Sequence, residues 1–480
     1  MLTLLRLEWR HVRRDTAFWL ATLLLVAALL YGLTNGLAWT RFQATAIHQA
    51  ESLAAERLAA ARTDAAKFDA APPPNLNPNL DPRDARGFEF NYLRRFAVLP
   101  PAPAAALAVG QSDLLPFVLR VTYRPRDSFL HHYEIENPLR LLLGRFDATF
   151  VALYLMPLAV IVIAHGLLAR ECAGGTLALL QAQPLSLTRW LAARFLLRGG
   201  ILLGAFAAAT WAGWLGIGGA PSALGDVTVW LALALAYGAF WLALAWFVAN
   251  RGASASGSAL SLAAAWLFFV ILFPAGLNLT LKQLYPPPSR AAFQDQLRDG
   301  TDDASRRGSQ LLAQYLEDHP ELAPAGPASG ENDFFRVRFA VNAEVERLAA
   351  PLRAAFAAQL ARQQTAVEHL RWLSPALVLH HESLVLAGTN RARHQRWIAA
   401  IGDLHTRTVD FFAPRLLRSA NFRDYDQVPA LDFRDPPPHY TAFLAALAAL
   451  LLPAAALFLL GRAVGGSQGM TGASRPSTAP

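Results

Sequence analysis

The sequence predicts a mainly α-helical, polytopic membrane protein that also carries sizeable water-exposed domains. Hydrophobic residues make up 54% of the 480 positions, and charged residues make up 16%. Several runs of about 20 residues contain no Asp, Glu, Lys or Arg, which is long enough for a helix to cross ~30 Å of hydrocarbon. Soluble helices seldom run that far without a charge, so the pattern favours membrane spans over buried core helices.

Six segments centre on such runs, and six spanning helices are predicted. They cover residues 17–40, 148–169, 195–219, 227–250, 257–281 and 440–461. Pro157, Pro274 and Pro453 lie within three of them and predict kinks, because proline removes a backbone donor inside a helix. The arginines ahead of the first span resemble the start of a secretory signal. Its apolar run is longer than that of a signal peptide, so an uncleaved span is predicted.

Basic residues near the span ends predict that both termini are cytoplasmic. The short loop Gly218–Asp226, on the opposite side, has no basic residue. Residues 41–147 and 282–439 are therefore predicted to form two large external domains, and residues 462–480 a disordered cytoplasmic tail. The arginines that set this orientation are Arg6, Arg10, Arg13, Arg14, Arg170, Arg189, Arg194, Arg198, Arg251 and Arg462.

Residues 1–16 are predicted to form an amphipathic helix in the cytoplasmic interface. Leu2, Leu5, Trp9 and Val12 share one helical face, while the four arginines of this segment occupy another. Such a division suits a helix that lies at the headgroup level. A basic flank that does no more than fix the topology is the alternative interpretation.

The external domains are predicted to be mixed or helical. In the first, residues 41–70 continue the first helix outward until the prolines at 72–74 end it, and Phe117–Tyr123 is the best strand candidate. In the second, apolar residues recur every three or four positions and predict one long amphipathic helix, with Pro351 as a kink. These residues are Val341, Val345, Leu348, Leu352, Phe356 and Leu360.

The chain has no motif for binding a nucleotide or a cofactor. A phosphate-binding loop requires a Gly-Lys-Ser/Thr step, and neither lysine of the chain, Lys67 or Lys282, follows a glycine. The chain is therefore predicted not to be an ATPase itself. Its net charge of +8 is dispersed and accompanies no nucleic-acid motif, so no nucleic-acid partner is expected. The single cysteine, Cys172, excludes an internal disulfide.

Histidines mark two candidate metal sites in the external domains and one candidate site in a span. His131 and His132 precede Glu134 and Glu136, and His380–Glu382 forms a second group. Adjacent histidines point in different directions, so surface or packing roles are favoured over metal binding. His165 lies near the cytoplasmic end of the second span. An ionisable group there suggests proton or substrate handling, with an interfacial role as the alternative.

Residues 170–194 carry the clearest functional pattern, a charged, helix-forming connector between two uncharged segments. Pro184 is predicted to end its helix, and Ser186 is predicted to cap the helix that follows. A helix tied to two spans can convert a pull from outside into relative tilting of those spans. The connector is therefore predicted to couple the membrane helices to a cytoplasmic partner.

This connector resembles the signature that follows the second span in ABC-2 type permeases, the membrane subunits of ATP-driven exporters. In that family the acidic residue and the helix after it form the coupling element that docks on the nucleotide-binding subunit. The step Cys172–Gly174 departs from the family pattern, where further charged or polar residues are usual. The matching residues are Glu171, Gly175, Thr176, Leu177, Leu180, Pro184, Ser186 and Arg189.

Other stretches are similar to one branch of this family, which has two large external domains and is usually labelled as being of unknown function. The resemblance covers nearly the whole chain. The stretches are Val109–Leu114, Glu136–Leu139, Gly144–Asp147, Leu373–Leu377, Leu386–Thr389 and Phe411–Arg415.

The resemblance implies a non-catalytic permease subunit of the bacterial cytoplasmic (inner) membrane that moves an unidentified substrate outward. It implies a separate ATPase subunit, which would bind ATP and Mg²⁺, and a second permease copy, identical or related. It assigns coupling to Glu171, Gly175, Thr176, Leu177, Leu180, Pro184 and Arg189. Two alternatives stay open: a polytopic membrane enzyme with an external metal site, and a sensory or structural membrane protein that does not transport.

Overall fold

The chain is mainly helical in a computed structural model. The structure describes residues 1–71, 77, 79–130, 144–169, 171, 174–183, 186–252, 254–286, 289–323, 331–418, 422–436 and 440–471. In chain order, the longer helices and the connector helix are α1 Leu2–Val12, α2 Thr16–Ala70, α3 Ala148–Ala164, α4 Thr176–Gln181, α5 Leu187–Gly216, α6 Leu224–Asn250, α7 Ala255–Leu284, α8 Arg290–Arg306, α9 Gly308–Asp318, α10 Glu331–Leu370, α11 Pro375–Leu386, α12 Arg391–Arg418 and α13 Tyr440–Thr471.

Five of these helices are long and apolar enough to cross a membrane: α2, α5, α6, α7 and α13. The chain is thus a mainly α-helical protein with several membrane-spanning helices, as predicted. The segment predicted as the second span is the shorter apolar helix α3, because its regular structure ends at Ala164 and gives way to turns over residues 165–168. A sixth span therefore stays a prediction.

Two of the predicted proline kinks coincide with departures from α-helical geometry. A π turn over Val151–Leu155 comes just ahead of Pro157, and another over Leu267–Leu272 comes just ahead of Pro274. Proline cannot donate a hydrogen bond to the carbonyl one turn earlier, and a π turn lets the neighbouring groups pair with a register shifted by one residue. Pro453 lies inside α13.

The largest core is formed by the apolar helices, with α6 at its centre. Trp230, Tyr237, Trp241 and Trp246 on α6 are all buried. Over its most apolar stretch α6 is 56% buried, whereas α7 is 11% buried. Helix α7 therefore lies at the edge of the bundle and presents an apolar surface to its surroundings.

The regions predicted as external domains pack against each other. Strands β1 (Phe96–Val98) and β2 (Val118–Arg120) pair antiparallel, and Trp397 of α12 is buried against them and donates a hydrogen bond from Nε1 to the Val98 carbonyl at 3.1 Å. The strand predicted over Phe117–Tyr123 is confirmed only for Val118–Arg120, in the first half of that range. The paired length is set by the three residues of β1, which no pattern within β2 itself reveals.

Helices α2 and α10 agree with the sequence patterns. Helix α2 continues without a break through residues 41–70, beyond the length a membrane requires. Helix α10 spans the predicted amphipathic repeat, and its Val341 and Val345 are buried against Ala304 of α8.

Candidate functional site

Five charged side chains meet where α1, the start of α2, the residues ahead of α4, and α5 converge. They are Glu8 on α1, Asp15 at the N-terminal cap of α2, Glu171, and Arg194 and Arg198 on α5. We call them the charge cluster. Glu8 and Arg198 are each only 5% exposed. Buried charges are tolerated only when they are paired and hydrogen-bonded, and this cluster supplies both signs.

Arg198 joins three helices. Its Nε donates to Glu8 Oε1 at 2.7 Å, and its Nη1 donates to Asp15 Oδ2 at 2.7 Å. The other oxygen of Asp15 accepts from the Phe18 amide at 3.1 Å and so caps α2. The guanidinium also lies 5.8 Å from the centre of the Phe18 ring. These contacts fix α1 and the start of α2 against α5.

Arg194, one turn earlier on the same face of α5, extends the cluster to Glu171. Its Nε donates to Glu8 Oε2 at 2.9 Å, and its Nη1 donates to Glu171 Oε1 at 3.1 Å. The same Nη1 donates to the Leu167 carbonyl, just beyond the end of α3, at 2.8 Å. The Trp190 ring lies 4.5 Å from its guanidinium. Glu171 is therefore connected directly to α5 and, through Glu8, to α1.

Glu171 also contacts the connector helix α4. Its carboxylate accepts a hydrogen bond from the hydroxyl of Thr176, the first residue of α4. Gly175 directly ahead has a φ of +69°, a left-handed conformation that side chains other than glycine seldom adopt. Leu177 packs against the core of the apolar helices. Three predicted site residues thus lie in one continuous arrangement with Glu171.

The remaining predicted connector residues lie elsewhere. Leu180 is half-buried, and Arg189, on the first turn of α5, is exposed. Leu179 of α4, which the sequence patterns did not single out, is 69% exposed. Pro184 lies outside the described residues. Ser186 occupies the N-terminal cap position of α5, but its side chain makes no capping hydrogen bond, so the predicted cap is wrong in that respect.

His165 lies at the end of α3. Its Nδ1 is 3.0 Å from the Ile161 carbonyl and 3.1 Å from the Val162 carbonyl. Both partners are acceptors, so Nδ1 must carry the hydrogen and donate. The ring thereby adds a side-chain hydrogen bond at the end of the helix, where the Ile161 carbonyl also accepts from the His165 amide at 3.0 Å. This accounts for a histidine at this position, and a role in proton or substrate handling stays a prediction.

Of the two histidine groups considered as metal ligands, the structure describes the second. His380 and His381 lie on α11, where burial lowers the pKa of both imidazoles. Glu382 pairs instead with Arg371 at 3.1 Å. Across the described ranges, no three His, Cys, Asp or Glu side chains are grouped as metal ligands. His131, His132, Glu134 and Glu136 lie outside the described residues.

A second polar arrangement joins the apolar helices to the first large domain. Asp147 is buried, and its Oδ2 accepts from the amides of Val109 and Gly110 at 2.8 and 3.0 Å. Its Oδ1 accepts from the Phe150 amide at 2.7 Å and caps α3. Burial raises the pKa of this carboxyl to about 6, against the opposing effect of the amides. We call this contact the Asp147 joint.

The Asp147 joint brings together three of the stretches that resemble the permease branch. Val109 and Gly110 belong to the first stretch and Asp147 to another. Thr389, from a third, donates its hydroxyl hydrogen to the Ala108 carbonyl at 2.6 Å. Their meeting in space was not predicted, because no local pattern links Thr389 to Ala108, 281 positions away.

Sequence reasoning missed Glu8 and Asp15, and it read Arg194 and Arg198 only as markers of topology. One feature of the sequence does point to Glu8. Glu8 is the single acidic residue of α1, and it lies one turn from Val12 on the buried face. An acidic residue on the apolar face of an otherwise basic helix indicates a buried basic partner. The spacing of four between Arg194 and Arg198 places both on one face of α5.

Comparison with known proteins adds one match. Residues 290–434 match a family described as "Domain of unknown function (DUF3526)". This stretch begins at α8 and extends beyond α12, so it describes the second large domain and none of the apolar helices. No curated protein and no solved structure matches the chain.

Proposed function

We propose that the chain is the membrane-spanning permease subunit of an ATP-binding-cassette exporter of the ABC-2 type. It would couple ATP hydrolysis by a separate subunit to outward movement of a substrate. The observation that carries the proposal is the ion-pair connection of Glu171 to Arg194 and, through Glu8, to Arg198. Glu171 stands at the position of the acidic residue in the segment that resembles the coupling element of this family.

The charge cluster offers a physical route for coupling. A partner that displaces α4 acts on Thr176 and hence on the carboxylate of Glu171. Because Arg194 binds both Glu171 and the Leu167 carbonyl, the same displacement changes how the end of α3 sits against α5. Arg198 and Asp15 extend the effect to α2. Side chains that exchange partners within such a network can give the helices two discrete arrangements, which coupling requires.

The proposal includes six spans, with α3 and the turns after it forming the second. Its support is the packing between the two large domains, where Trp397 is buried against β1 and β2. Domains in direct contact lie on one side of the membrane, so an even number of spans must separate them in the chain. Between residues 147 and 282 lie α5, α6, α7 and the shorter α3. The number of spans between the two domains is even only if α3 also crosses the membrane.

Orientation and assembly complete the proposal. The arginines at the span ends favour cytoplasmic termini, which places α4 and the charge cluster on the cytoplasmic side and both large domains outside. The apolar surface of α7, with Leu260 73% and Leu272 53% exposed, suits contact with lipid or with a second permease copy. The resemblance of the connector to ABC-2 type permeases also supports a location in the bacterial cytoplasmic membrane.

The proposal predicts separate residues for docking and for transmission. Leu179 and Arg189 are exposed and would contact the ATPase, so Leu179→Asp and Arg189→Glu should each lower recovery of an ABC ATPase in mild-detergent purification about tenfold. That corresponds to ~1.4 kcal/mol, which a residue central to an interface commonly supplies. Glu171→Gln should keep the ATPase bound and lower its stimulated hydrolysis.

Arg13→Glu is the matched control for Arg189→Glu, because Arg13 is also an exposed arginine on the same side. It should leave recovery unchanged. Equal recovery in all four variants, or a loss with Arg13→Glu as large as with Arg189→Glu, would speak against docking through α4 and the start of α5.

The topology predicts which positions a membrane-impermeant maleimide reaches in intact cells. In a Cys172→Ser background, Ser52→Cys on α2 and Ser309→Cys on α9 should both be labelled, since both residues are exposed in the large domains. Thr3→Cys on α1 should react only after lysis. Labelling of Ser52→Cys without Ser309→Cys would mean that α3 does not cross the membrane.

A further inference from the structure

A groove of about 620 Å³ runs between α8, α10 and α12 of the second large domain and is also lined by Arg126 and Leu130 of the first. Its volume falls within the range of roughly 300–1,000 Å³ that small-molecule sites occupy. The walls are mostly apolar between polar residues at the two ends, and alanines of α10 leave space between the helices. The wall residues are Leu130, Phe293, Phe356, Leu360 and Ile398, and the alanines of α10 are Ala350, Ala354, Ala357 and Ala361.

The groove is charge-balanced at one end. Arg126 and Arg353 line it there, but Arg126 Nε donates to Glu346 Oε1 at 2.7 Å and Arg353 Nη1 donates to Asp127 Oδ2 at 2.5 Å. Arg353 also pairs with Glu346. Two guanidinium groups thus face two carboxylates. An ionic ligand gains no net attraction from this end, so apolar contact must dominate binding.

The other end of the groove lies beside an apolar helix end. Gln359 of α10 donates from Nε2 to the Pro286 carbonyl at 3.1 Å, and Gln363 donates to the Tyr285 carbonyl. Tyr285 directly follows α7, a candidate membrane span. Leu360, which lines the groove, is flanked by these two contacts. This end of the groove therefore lies near the point where α7 leaves the apolar bundle.

The length of the groove fits one hydrocarbon chain. From Ala350 to Ala361 the groove follows α10 over eleven residue-to-residue steps, or about 17 Å at a rise of 1.5 Å per step. The hydrocarbon of one leaflet is about half of the ~30 Å core of a bilayer, so an acyl chain that spans a leaflet has nearly the same length.

Neutral polar groups line the groove near its α7 end. Gln294 and Gln395 both line the groove. On α12, Gln395 lies one turn before Ile398. Gly402, one turn after Ile398, lies against the Arg126 guanidinium, since a Cβ there would be 2.5 Å from its Nη1. Gln395 is therefore at the end opposite the ion pairs, where ester or phosphate oxygens can accept hydrogen bonds from its amide.

We propose that this groove binds one acyl chain of a membrane phospholipid, taken from the leaflet at the end of α7. The chain lies along the alanines of α10, and the headgroup stays at the membrane end beside Gln294 and Gln395. A free fatty acid fits less well, because the described residues that line the groove offer its carboxylate no unbalanced positive charge. The inference is independent of ATP hydrolysis and gives the second large domain a ligand class.

The test is photolabelling of the full chain in phosphatidylcholine vesicles that contain phosphatidylcholine with a diazirine in one acyl chain. Irradiation and peptide mapping should place an adduct on the part of α10 that carries Phe356 and Leu360. Ala354→Trp fills the groove and should lower this adduct about tenfold, equivalent to ~1.4 kcal/mol. Ala355→Trp changes a neighbouring exposed alanine that does not line the groove, and should label like wild type.

Labelling of the spanning helices serves as the internal check of folding, since it should be equal in all three proteins. With that condition met, an undiminished α10 adduct in Ala354→Trp overturns the proposal. So do adducts confined to the spanning helices, and so does a protein–protein cross-link between two copies at Phe356 in place of a lipid adduct.

Discussion

Arg198→Leu is expected to destabilise the folded protein by about 3 kcal/mol, because Asp15 loses its Arg198 partner and Glu8 keeps only one of its two guanidinium partners, Arg194. Glu8 is 5% exposed and cannot recover its hydration without moving α1. The measurement is thermal denaturation of the detergent-purified chain, followed by loss of helix signal and by aggregation. Detachment of α1 from the bundle should accompany the loss of stability. It can be followed by the access of a protease to residues 2–12.

Arg189→Leu is the matched control, since it makes the same change on the same helix at an exposed position. It should alter stability by no more than about 0.5 kcal/mol. Arg198→Lys should lie between the two, because an ammonium keeps the charge but lacks the planar fork that reaches both carboxylates. Equal stability of Arg189→Leu and Arg198→Leu would mean that the charge cluster does not hold α1 to the bundle.

Gly36→Ala is expected to disrupt the contact between α2 and the first large domain. A Cβ at position 36 would lie 2.0 Å from the Ala106 carbonyl oxygen and 2.9 Å from its carbon. Both are backbone atoms that cannot rotate away, so the helix and the short helix Ala105–Leu107 must separate. Overpacking of this kind costs about 1–3 kcal/mol or more. A lower temperature of thermal denaturation and faster backbone hydrogen exchange at Val109 and Gly110 would reveal this separation.

Gly204→Ala on α5 is the control, because a Cβ there meets nothing within 4 Å. Alanine is favoured over glycine inside a helix by roughly 0.5–1 kcal/mol, so this variant should be as stable as wild type or slightly more so. If Gly36→Ala behaves like Gly204→Ala, the tight approach of α2 to Ala106 is absent from the protein.

Local patterns predicted the helices well and their contacts poorly. Long uncharged runs identify α5, α6 and α7, because a spanning helix satisfies its own backbone within one segment. The ion pair of Glu8 with Arg198 joins residues 190 positions apart, and no local pattern selects that partner. The early end of α3 depends on His165 and the turns that follow it. A hydropathy scan cannot distinguish those turns from continuing helix.

The groove, like the ion pairs, could not be predicted from local sequence patterns. Ala350, Ala354, Ala357 and Ala361 lie on one face of α10, which the sequence indicates through their helical spacing. Whether such a face is covered or left open is decided by α8 and α12, which come from distant parts of the chain. Phe356 and Leu360, which belong to the apolar repeat of the predicted amphipathic helix, are half-buried and line the groove.

The most direct test of the central claim is ATP hydrolysis by the complex recovered with Glu171→Gln from the native membrane. The account predicts that an ABC ATPase co-purifies in near-equal amount with wild type and variant, and that hydrolysis falls in the variant although docking is unchanged. Recovery of the chain without an ATPase would contradict the permease proposal. Unchanged hydrolysis in a fully assembled Glu171→Gln complex would contradict coupling through the charge cluster.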